Sequence, residues 1–530
     1  LQDVKTTNLY LEAIGMKLGT LCTLAGLDIL SDTRVAACEI CAITTDSRTV
    51  IPGCLFVCIR GMKVDGHAYI EEAVKKGAAA VLMERDADAS EVERGNTIFL
   101  RTEGTRRALS FLYDAWYGHP AREMQLIAVT GTNGKTSVST MLKAIFDAAM
   151  IPCGLIGTVA CICRDRPLGI RAGNPLANMT TPDPAELYHI LSVMAKEGVR
   201  VVVMEASSHA LALEKLAPLT FDAAIFTNLS PEHLDFHGDM QHYFAAKATL
   251  FRMSRLAVLN ADDAYAASLL PLCTGRVVRT STGDCETEYR AEDIVSLGVN
   301  GVSYTMRGKQ SVIRMVSPIP GTFTVSNTLQ AAACALELGV PARTVREAIN
   351  AMTGVRGRME RVRLGVPVPF CVFVDYAHTP AALENLLLTA RGFRQNGQRI
   401  VLLFGCGGDR DKGKRAEMGS IASRYADMIY LTADNSRSEN PSAILDDILL
   451  GVNREKPYRV IPNRATAIEI AIREARPGDI ILLAGKGHEM YEIDAEGKHP
   501  FNEKEIAAAA AARSYPLGDQ TENALGESSK

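Results

Sequence analysis

The chain has 530 residues, of which 47% are hydrophobic and 22% are charged, and its formal net charge is −4. One hydrophobic core does not extend over this length, so we predict about three domains. The slight acidic excess leaves no surplus of basic side chains to neutralise phosphates, which argues against a nucleic-acid-binding protein. No run reaches the ~18 apolar residues of a membrane span. We therefore expect a cytoplasmic globular protein that is not inserted in a membrane.

The thirteen cysteines allow two interpretations. Cys38 and Cys41, together with Cys54 and Cys58, resemble a zinc-binding set. However, cysteine also packs as a small apolar residue, and the second pair flanks a predicted strand. We favour reduced, structural thiols, as is typical of cytoplasmic proteins.

Residues 16–105 are predicted to form a small α/β domain, since apolar strands at 55–59 and 79–83 flank a helical pattern at 68–76. Met16 is a plausible native start, so residues 1–15 are expected to lie upstream of the native chain. Ahead of the first strand, Thr45-Asp46-Ser47-Arg48 could bind an anionic ligand. The alternative, which we consider commoner, is a capped turn.

Residues 106–357 are predicted to form a central P-loop ATPase-like domain with a mostly parallel sheet, and this domain contains the most informative stretch of the chain. Leu126 to Val129 is typical of a buried strand, a Gly-Thr-Asn-Gly turn follows, and apolar residues then recur at helical spacing from 138 to 149. A glycine turn between a strand and a helix N-terminus presents backbone N–H groups and the positive end of the helix dipole to an anion. The strict P-loop pattern has a glycine where this chain has Val129, so an ordinary glycine-rich turn is the alternative.

The residues around this turn have the chemistry of a nucleotide site. Lys135 can reach a β- or γ-phosphate, and the Thr136 hydroxyl can hold Mg²⁺. Further strands at 199–204 and 223–227 are followed by polar residues that include Glu205 and His233. Ligands gather at the carboxyl ends of parallel strands, so these side chains would suit Mg²⁺ bound to ATP. For His233, a hydrogen-bonded loop residue is the alternative interpretation.

Residues 358–513 repeat the alternation of strands and helices and predict a second, Rossmann-like doubly wound domain. Arg410 and Arg437 in its polar loops could bind carboxylates, and Asp434 and Glu489 could accept an ammonium group. For each of these residues alone, a surface ion pair is the commoner interpretation. The polar tail at 514–530 is predicted to be disordered.

Many short motifs occur together, and their order is informative. They are TTDSR (44–48), GTNGKTS (131–137), TTPDP (180–184), MEASSHAL (204–211), PEHLDFHG (231–238), HYFAAK (242–247), GRME (357–360), VDYAHTP (374–380), GCGGDRDKGKR (405–415), DNSR (434–437) and AGKGHE (484–489). With these motifs the chain resembles the ATP-dependent Mur ligases of peptidoglycan precursor synthesis over about residues 16–513. The shortened glycine loop is itself a mark of that family.

The resemblance implies a role for each matching residue. Those implied to bind ATP are Gly131, Thr132, Asn133, Gly134, Lys135, Thr136, Ser137 and Asn327. Those implied to bind the UDP-linked substrate are Thr45, Ser47, Thr180, Thr181, Ser207 and Lys215. Those implied to bind the incoming amino acid are Arg410, Asp434, Asn435, Ser436, Arg437, Gly485 and Glu489. Those implied to be catalytic are Lys135, Glu205, His233 and Lys247. Those implied to hold Mg²⁺ are Thr136, Glu205, His233 and Lys247, the last as a carbamate.

The implied activity is the ATP-dependent addition of meso-diaminopimelate to the D-glutamate carboxylate of UDP-MurNAc-L-Ala-D-Glu, through an acyl phosphate, by an enzyme expected to be monomeric. Arg437 favours this amino acid, because L-lysine lacks the second carboxylate that an arginine would bind. Two departures from the family pattern are Leu213 with Lys215, in place of glutamine and arginine, and Ser436 in place of proline. The alternatives are a lysine-adding ligase, a folylpolyglutamate synthetase-like ligase and a non-catalytic nucleotide-binding scaffold.

Overall fold

The structure is a computed structural model that describes residues 15–27, 34–61, 64–85, 95–168, 179–308 and 311–516. Our expectations for the upstream segment and for the C-terminal tail therefore fall almost entirely outside the described residues. The chain divides into two compact units. The first contains the chain up to Asn133 with residues 151–257 and 267–277, and the second contains residues 134–150, 258–266 and 278 onwards. The three predicted domains, 16–105, 106–357 and 358–513, remain a prediction.

The N-terminal part of the first unit contains a parallel sheet, which fits the predicted α/β fold. Its strands, in spatial order, are Ile43–Thr44, Leu55–Val57, Ala80–Glu84 and Ile98–Thr102. The predicted helix at 68–76 begins as a 3₁₀ turn, Gly66–Tyr69, and continues as an α-helix, Ile70–Lys75. The 3₁₀ turn has a local cause, because the Asp65 side chain accepts a hydrogen bond from the His67 N–H at 3.0 Å and so starts the turn early.

The largest sheet is mixed and has eleven strands. In the first unit, Gln125–Thr130 lies between Val201–Glu205 and Ala223–Phe226 and is parallel to both. The register places Glu205 opposite Val129 and Phe226 opposite Thr130, so the three strands end at the same edge. On the far side of Val201–Glu205 the strands are, in spatial order, Cys153–Ile156, Cys161–Cys163 and Arg166–Pro167.

The sheet is mixed: its strands around Gln125–Thr130 are parallel, as the sequence predicts, and it also contains antiparallel pairs. Within the second unit, Tyr289–Ser296, Val302–Gly308 and Val312–Ser317 pair as antiparallel neighbours. These strands were not predicted, because they are polar or alternate between buried and exposed residues, whereas the predicted strands are continuous apolar runs. Leu256–Asn260 and Arg276–Ser281 are the other strands of this sheet among the described residues.

The helices in this part of the chain have local start signals that match their sequences. Asp183 is the N-cap residue of the helix Pro184–Lys196. Proline is favourable at the first helical position, because the backbone N–H group that it lacks would have no partner within the helix. The α-helices before residue 357 are Leu18–Leu24, Ile70–Lys75, Thr105–Trp116, Lys135–Ala148, Pro184–Lys196, Ser208–Ala212, Leu234–His237, Met240–Arg252, Ala266–Leu269, Phe323–Glu337 and Ala342–Ala351.

The C-terminal part of the second unit is doubly wound, as predicted. Its parallel strands, in spatial order, are Cys371–Asp375, Ile480–Ala484, Ile400–Phe404, Met428–Leu431 and Tyr458–Val460, with Glu360–Arg361 added antiparallel at one edge. Its helices are Pro380–Phe393, Gly413–Tyr425, Pro441–Leu449, Arg464–Arg473 and Glu503–Ser514. Apolar clusters cover both faces of the sheet. A hairpin, Tyr491–Asp494 with Gly497–Pro500, follows the last parallel strand.

All thirteen cysteines are free, and none forms a disulfide bond. Across the described ranges, no three His, Cys, Asp or Glu side chains gather as a metal-holding group, so the zinc interpretation receives no support. No helix in the same ranges is long and apolar enough to cross a membrane.

One ion pair in the C-terminal part is fully buried and offers a test of the fold. Arg464 and Glu503 are 0% and 3% exposed, and Arg464 Nη2 lies 2.7 Å from Glu503 Oε1. We expect Glu503→Gln to lower the free energy of unfolding by about 3 kcal/mol, because it leaves a buried guanidinium without its counter-charge. Chemical denaturation of the full chain measures this effect.

The matched control is Glu469→Gln, since Glu469 pairs with Arg513 in an exposed bridge in which the two side chains are 47% and 59% exposed. We expect this control to change the free energy by less than about 1 kcal/mol. Equal effects of the two substitutions would contradict the importance given to the buried pair.

Candidate active site

The glycine loop begins where the strand Gln125–Thr130 ends, and it passes very close to the neighbouring strand. Gly131 has a φ of +145°, and a Cβ added there would lie 1.9 Å from Thr227 Oγ1. Only glycine fits both the conformation and the space. The loop ends at Gly134, whose φ is +87°, and the helix Lys135–Ala148 begins at the next residue.

Hydrogen bonds attach the loop to the end of the strand Ala223–Phe226. The Thr132 N–H donates to Asn228 O at 2.8 Å, and the Asn133 N–H donates to Asn228 Oδ1 at 2.9 Å. In return, Thr227 Oγ1 donates to Asn133 O at 2.5 Å. These bonds fix the loop backbone in place. Thr227 and Asn228 were not among the predicted site residues, although their position at a strand end beside the loop is a signal that could have identified them.

Lys247 lies beneath this loop and is only 1% exposed. Its Nζ donates to Gly131 O at 2.8 Å and lies 4.6 Å from the centre of the Tyr243 ring. The Tyr243 hydroxyl in turn lies 3.2 Å from Thr132 Oγ1. The structure therefore places Lys247 against the loop rather than in solvent, where a helix lysine would ordinarily lie. A carbamate retains one N–H, so the bond to Gly131 O is compatible with the implied modification.

Glu205 ends its strand as a buried carboxylate that is 1% exposed. Thr158 donates a hydrogen bond to each oxygen of the Glu205 carboxylate. The Thr158 N–H donates to Oε1 and the Thr158 hydroxyl donates to Oε2, each at 3.0 Å. Thr158 was not predicted, although it follows the neighbouring strand Cys153–Ile156 and so belongs to the same edge. These bonds orient the carboxylate.

Thr180, Thr181 and Ser207, which are three of the residues implied to bind the UDP-linked substrate, form one connected network with Glu205 and Thr158. Thr181 Oγ1 donates to Glu205 O at 2.8 Å and accepts from the Ser207 N–H at 3.0 Å. The Thr158 and Thr180 hydroxyl oxygens lie 3.1 Å apart, and since the Thr158 proton is donated to Glu205, Thr180 is the donor of this pair. Nearby, Lys215 is 6% exposed and its Nζ lies 2.7 Å from Asp183 Oδ1, so it binds a residue of the same TTPDP turn.

His233 lies in a group of aromatic rings. It adopts a left-handed backbone conformation, with a φ of +58°, and its ring centre is 4.8 Å from that of His209. Burial lowers the pKa of His209 to about 4, and the nearby His233 and His237 reinforce the shift. His209 is therefore neutral at neutral pH, whereas the exposed His233 side chain is accessible to a ligand.

The N-terminal motif is partly a capped turn, in agreement with the commoner interpretation. The Asp46 side chain accepts from the Arg48 N–H at 2.9 Å and binds its guanidinium, which starts the short helix Ser47–Thr49. Thr45 is exposed and Ser47 is buried. The second unit holds other residues implied to bind ATP, with Lys135, Thr136 and Ser137 in the first turn of their helix and Asn327 buried on Phe323–Glu337.

The polar loops of the C-terminal sheet share one edge, because the strands that precede them are adjacent and parallel. Arg410 and Arg437 both lie close to Gly407, where an added Cβ would be 3.0 Å from Arg437 Nη1 and 3.9 Å from Arg410 Cγ. Arg437 Nη1 donates to Gly408 O at 2.8 Å and to Asn435 O at 3.2 Å. Within the described part of the chain, its Nη2 and Nε have no hydrogen-bond partner.

The acidic residues of the predicted pocket are buried on the same edge. Asn435 Nδ2 donates to Glu489 Oε2 at 2.8 Å. Burial raises the pKa of the Glu489 carboxyl, and the nearby Asp434 adds to the shift. Asp434 and Ser436 are 6% and 4% exposed, and a Cβ on Gly485 would lie 3.0 Å from Asp434 Oδ2. The structure therefore brings together all the residues implied to bind the amino acid.

Ser436, which replaces the proline of the family pattern, lies in a loop held by other contacts. The Gly408 N–H donates to Asn435 O at 2.9 Å, and the Glu439 N–H donates to Ser436 O at 3.1 Å. Both bonds use carbonyl groups, so they do not depend on proline at this position. The loop is therefore fixed without the ring that would restrict its backbone.

Polar side chains at the carboxyl ends of parallel strands define an α/β protein of the class that binds ligands at that edge. Three family models match the chain: the Mur ligase family, catalytic domain, at residues 39–117; the Mur ligase middle domain, at residues 129–335; and the Mur ligase, glutamate ligase domain, at residues 357–487.

Two relatives share the name UDP-N-acetylmuramoyl-L-alanyl-D-glutamate–2,6-diaminopimelate ligase. The protein from Caldanaerobacter subterraneus subsp. tengcongensis is 41% identical over 478 residues, which are 90% of this chain and 95% of that protein. The protein from Clostridioides difficile is 39% identical over 486 residues, which are 91% and 97% of the two chains. This chain belongs to the Mur ligase family, and it is accordingly a ligase.

Solved structures agree with the assignment. A structure of a UDP-N-acetylmuramoyl-L-alanyl-D-glutamate–2,6-diaminopimelate ligase superimposes with a TM-score of 0.66 at 28% identity, over 93% of this chain and 99% of that chain. A folylpolyglutamate synthase from Mycobacterium tuberculosis gives a TM-score of 0.57 at 20% identity, over 77% and 94% of the two chains. The second likeness shows a shared fold alone.

The packing at Gly131 gives a direct test of the loop. We expect Gly131→Ala to weaken ATP binding at least about tenfold, because the new Cβ displaces the backbone from Thr227 and disturbs the N–H groups of the turn. Calorimetric titration with ATP measures this, and circular dichroism reports whether the variant folds.

Gly104→Ala is the matched control, since a Cβ at that position meets nothing within 4 Å. If Gly131→Ala folds but fails to bind ATP, and Gly104→Ala binds as the wild type does, the assignment of the loop is supported. Unchanged ATP affinity in Gly131→Ala would contradict it.

Proposed function

We propose that this ligase joins meso-diaminopimelate to UDP-MurNAc-L-Ala-D-Glu with the consumption of ATP. The observation that carries the choice of amino acid is the arginine fork of Arg437. Its Nη1 is held by two backbone carbonyls, while Nη2 and Nε have no partner among the described residues. A guanidinium group that is anchored through Nη1 can use Nη2 and Nε to bind a carboxylate. L-lysine has no carboxylate at the end of its side chain. The names of the relatives at about 40% identity support the same substrate.

In the proposed reaction each region has one task. Thr45, Ser47, Thr180, Thr181, Ser207 and Lys215 bind the UDP-linked substrate. Gly131 to Ser137, with Asn327, bind ATP. Arg410, Arg437, Asp434, Asn435, Ser436, Gly485 and Glu489 bind diaminopimelate, with the two acids suited to its ammonium groups.

The chemistry proposed for these groups has two steps. The D-glutamate carboxylate attacks the γ-phosphate of ATP in line, which forms an acyl phosphate and releases ADP. Lys135 stabilises the negative charge that develops on the transferred phosphoryl group. The free amine of diaminopimelate then attacks the acyl carbon, forms the amide and displaces phosphate. The amine must lose a proton in this second step.

The residues present suit Mg²⁺, which we propose as the metal. Glu205 offers a buried, oriented carboxylate, which is the hard oxygen ligand that Mg²⁺ prefers. In the described ranges no group of three such side chains surrounds a metal position, and Mg²⁺ usually completes its shell with phosphates and water. Thr136, Glu205, His233 and carbamylated Lys247 are the proposed ligands. Bound there, the metal would neutralise charge on the ATP phosphates.

One assay tests the proposal. The purified chain is incubated with ATP, Mg²⁺ and UDP-MurNAc-L-Ala-D-Glu, and meso-diaminopimelate, L-lysine or L-glutamate is offered in turn. We expect ADP and the UDP-linked tripeptide with meso-diaminopimelate, and much slower turnover with the other two. Preference for L-lysine would reject the proposed substrate. Absence of turnover with any amino acid would favour the non-catalytic scaffold. In a parallel incubation a folate replaces the UDP-linked substrate, and ligation of L-glutamate to it would favour the folylpolyglutamate alternative.

The role of Arg437 gives a sharper prediction. We expect Arg437→Ala to raise the KM for meso-diaminopimelate by about 10- to 100-fold, since it removes charge-assisted hydrogen bonds to the distal carboxylate. The KM for ATP should stay the same. Steady-state kinetics with each substrate varied in turn measures both constants.

Two controls accompany this variant. Arg454 lies exposed on a turn of the same domain, so Arg454→Ala should leave every constant unchanged. The slow reaction with L-lysine should be as fast in Arg437→Ala as in the wild type, because lysine offers no distal carboxylate. Equal increases in the KM for diaminopimelate and for ATP would show that the assignment is wrong.

A further inference from the structure

Lys486 is a buried cation in the motif AGKGHE, and the reaction described above gives it no task. It follows Gly485 at the end of the strand Ile480–Ala484 and is 0% exposed. Its Nζ donates to Asn435 Oδ1 at 3.0 Å and to Tyr491 O at 3.1 Å, and it lies 3.4 Å from Asp434 Oδ1. Since burying an ammonium group is costly unless it is paired, all of these contacts are needed to hold it there.

The contact with Asn435 decides which way that amide points. Asn435 Oδ1 accepts from Lys486 Nζ and from the Ile493 N–H, each at 3.0 Å. An oxygen that accepts two N–H groups cannot be exchanged with the amide nitrogen. Asn435 Nδ2 is therefore directed to Glu489 Oε2, at 2.8 Å. Lys486 thus orients Glu489 through Asn435 without touching it.

The contact with Asp434 balances charge in the same place. Asp434 Oδ1 is buried and has no hydrogen bond among the described residues, so Lys486 at 3.4 Å is the cation that offsets it. Arg464 also hydrogen-bonds to the backbone at this edge of the C-terminal sheet. Its Nη1 donates to Ala433 O at 3.2 Å and its Nη2 donates to Ala484 O at 2.8 Å. These carbonyls belong to the residues just before Asp434 and Gly485.

The hairpin after the last strand completes the arrangement. Lys486 binds Tyr491 O, Asn435 binds the Ile493 N–H, and the Arg437 N–H donates to Ile493 O at 3.0 Å. The strand Tyr491–Asp494 therefore contacts the loop at Asn435 and Arg437, and Lys486 joins the two.

We propose that Lys486 is a positioning residue of the amino-acid pocket, which holds Asp434 directly and Glu489 through Asn435. The proposal rests on the function proposed above, because it assumes that these acids bind the incoming amino acid. Lys486 itself is too deeply buried to contact that substrate. Its loss should therefore alter binding of the amino acid and leave the ATP loop, which belongs to other elements, unaffected.

The test replaces Lys486 by methionine, which keeps the length of the side chain and removes the charge. We expect Lys486→Met to raise the KM for the amino acid by about 10- to 100-fold, the size expected when charged hydrogen bonds are lost. The KM for ATP and for the UDP-linked substrate should not change. Lys486→Arg retains the charge, so its KM should lie closer to that of the wild type.

Lys498→Met is the matched control. Lys498 is an exposed cation on the same hairpin, where its Nζ lies 3.7 Å from the centre of the Tyr491 ring. It should leave all three KM values unchanged. Equal changes in the three constants in Lys486→Met, or equal effects of Lys486→Met and Lys498→Met, would overturn the proposal.

The experiment also separates this proposal from the identity of the substrate. The amino acid used is the one that the wild-type chain ligates fastest, so a preference other than diaminopimelate would reject the proposed function and leave this test intact. If Lys486→Met does not fold, the comparison passes to Lys486→Gln, which is neutral and retains a hydrogen-bond donor. In that variant a selective increase in the amino-acid KM supports the role, and an unselective one rejects it.

Discussion

The conformation of the glycine loop depends on one close contact, between Gly131 and Thr227, at the ends of two parallel strands. The register brings the end of Gln125–Thr130 beside the end of Ala223–Phe226, and the backbone at Gly131 then passes Thr227 with no room for a side chain. The carbonyl groups of Gly131 and Asn133 accept hydrogen bonds from Lys247 and Thr227. These bonds hold the loop in its conformation without a bound ligand. A preformed loop avoids the entropic cost of ordering it at the moment of binding.

The amino-acid pocket uses the same close packing together with buried charge. Its strands also end at one edge, and a Cβ on Gly408 would lie 1.9 Å from Ser436 O. In addition, Lys486 and Arg464 are both buried, and each hydrogen-bonds to groups that begin or support the polar loops. Such networks are rigid when every member has a partner and costly when one is removed. Buried cations therefore add to the close backbone packing that both sites share.

The sequence predicted the parallel strands and most of the site, and the reasons for its failures are physical. Buried parallel strands are continuous apolar runs, so Ile400–Phe404 was predicted to the residue. The strand Val312–Ser317 was missed, because it alternates between exposed and buried residues and carries little apolar signal. Motifs identify residues that contact a ligand, but not those that orient them. The roles inferred for Thr158 and Lys486 were therefore recognised only from their hydrogen bonds to Glu205 and Asn435, although Lys486 lies within a motif.

The contacts between the loop at Asn435–Arg437 and the hairpin strand Tyr491–Asp494 have a consequence for protein engineering. The two segments are more than fifty residues apart in the chain, yet Ile493 alone contributes both an N–H to Asn435 and a carbonyl to Arg437. Transplanting the loop alone into a related scaffold would therefore bring the recognition side chains without the backbone that holds them. The two segments should therefore be exchanged together. Homologous recombination that separates them would yield chimaeras with impaired amino-acid selection.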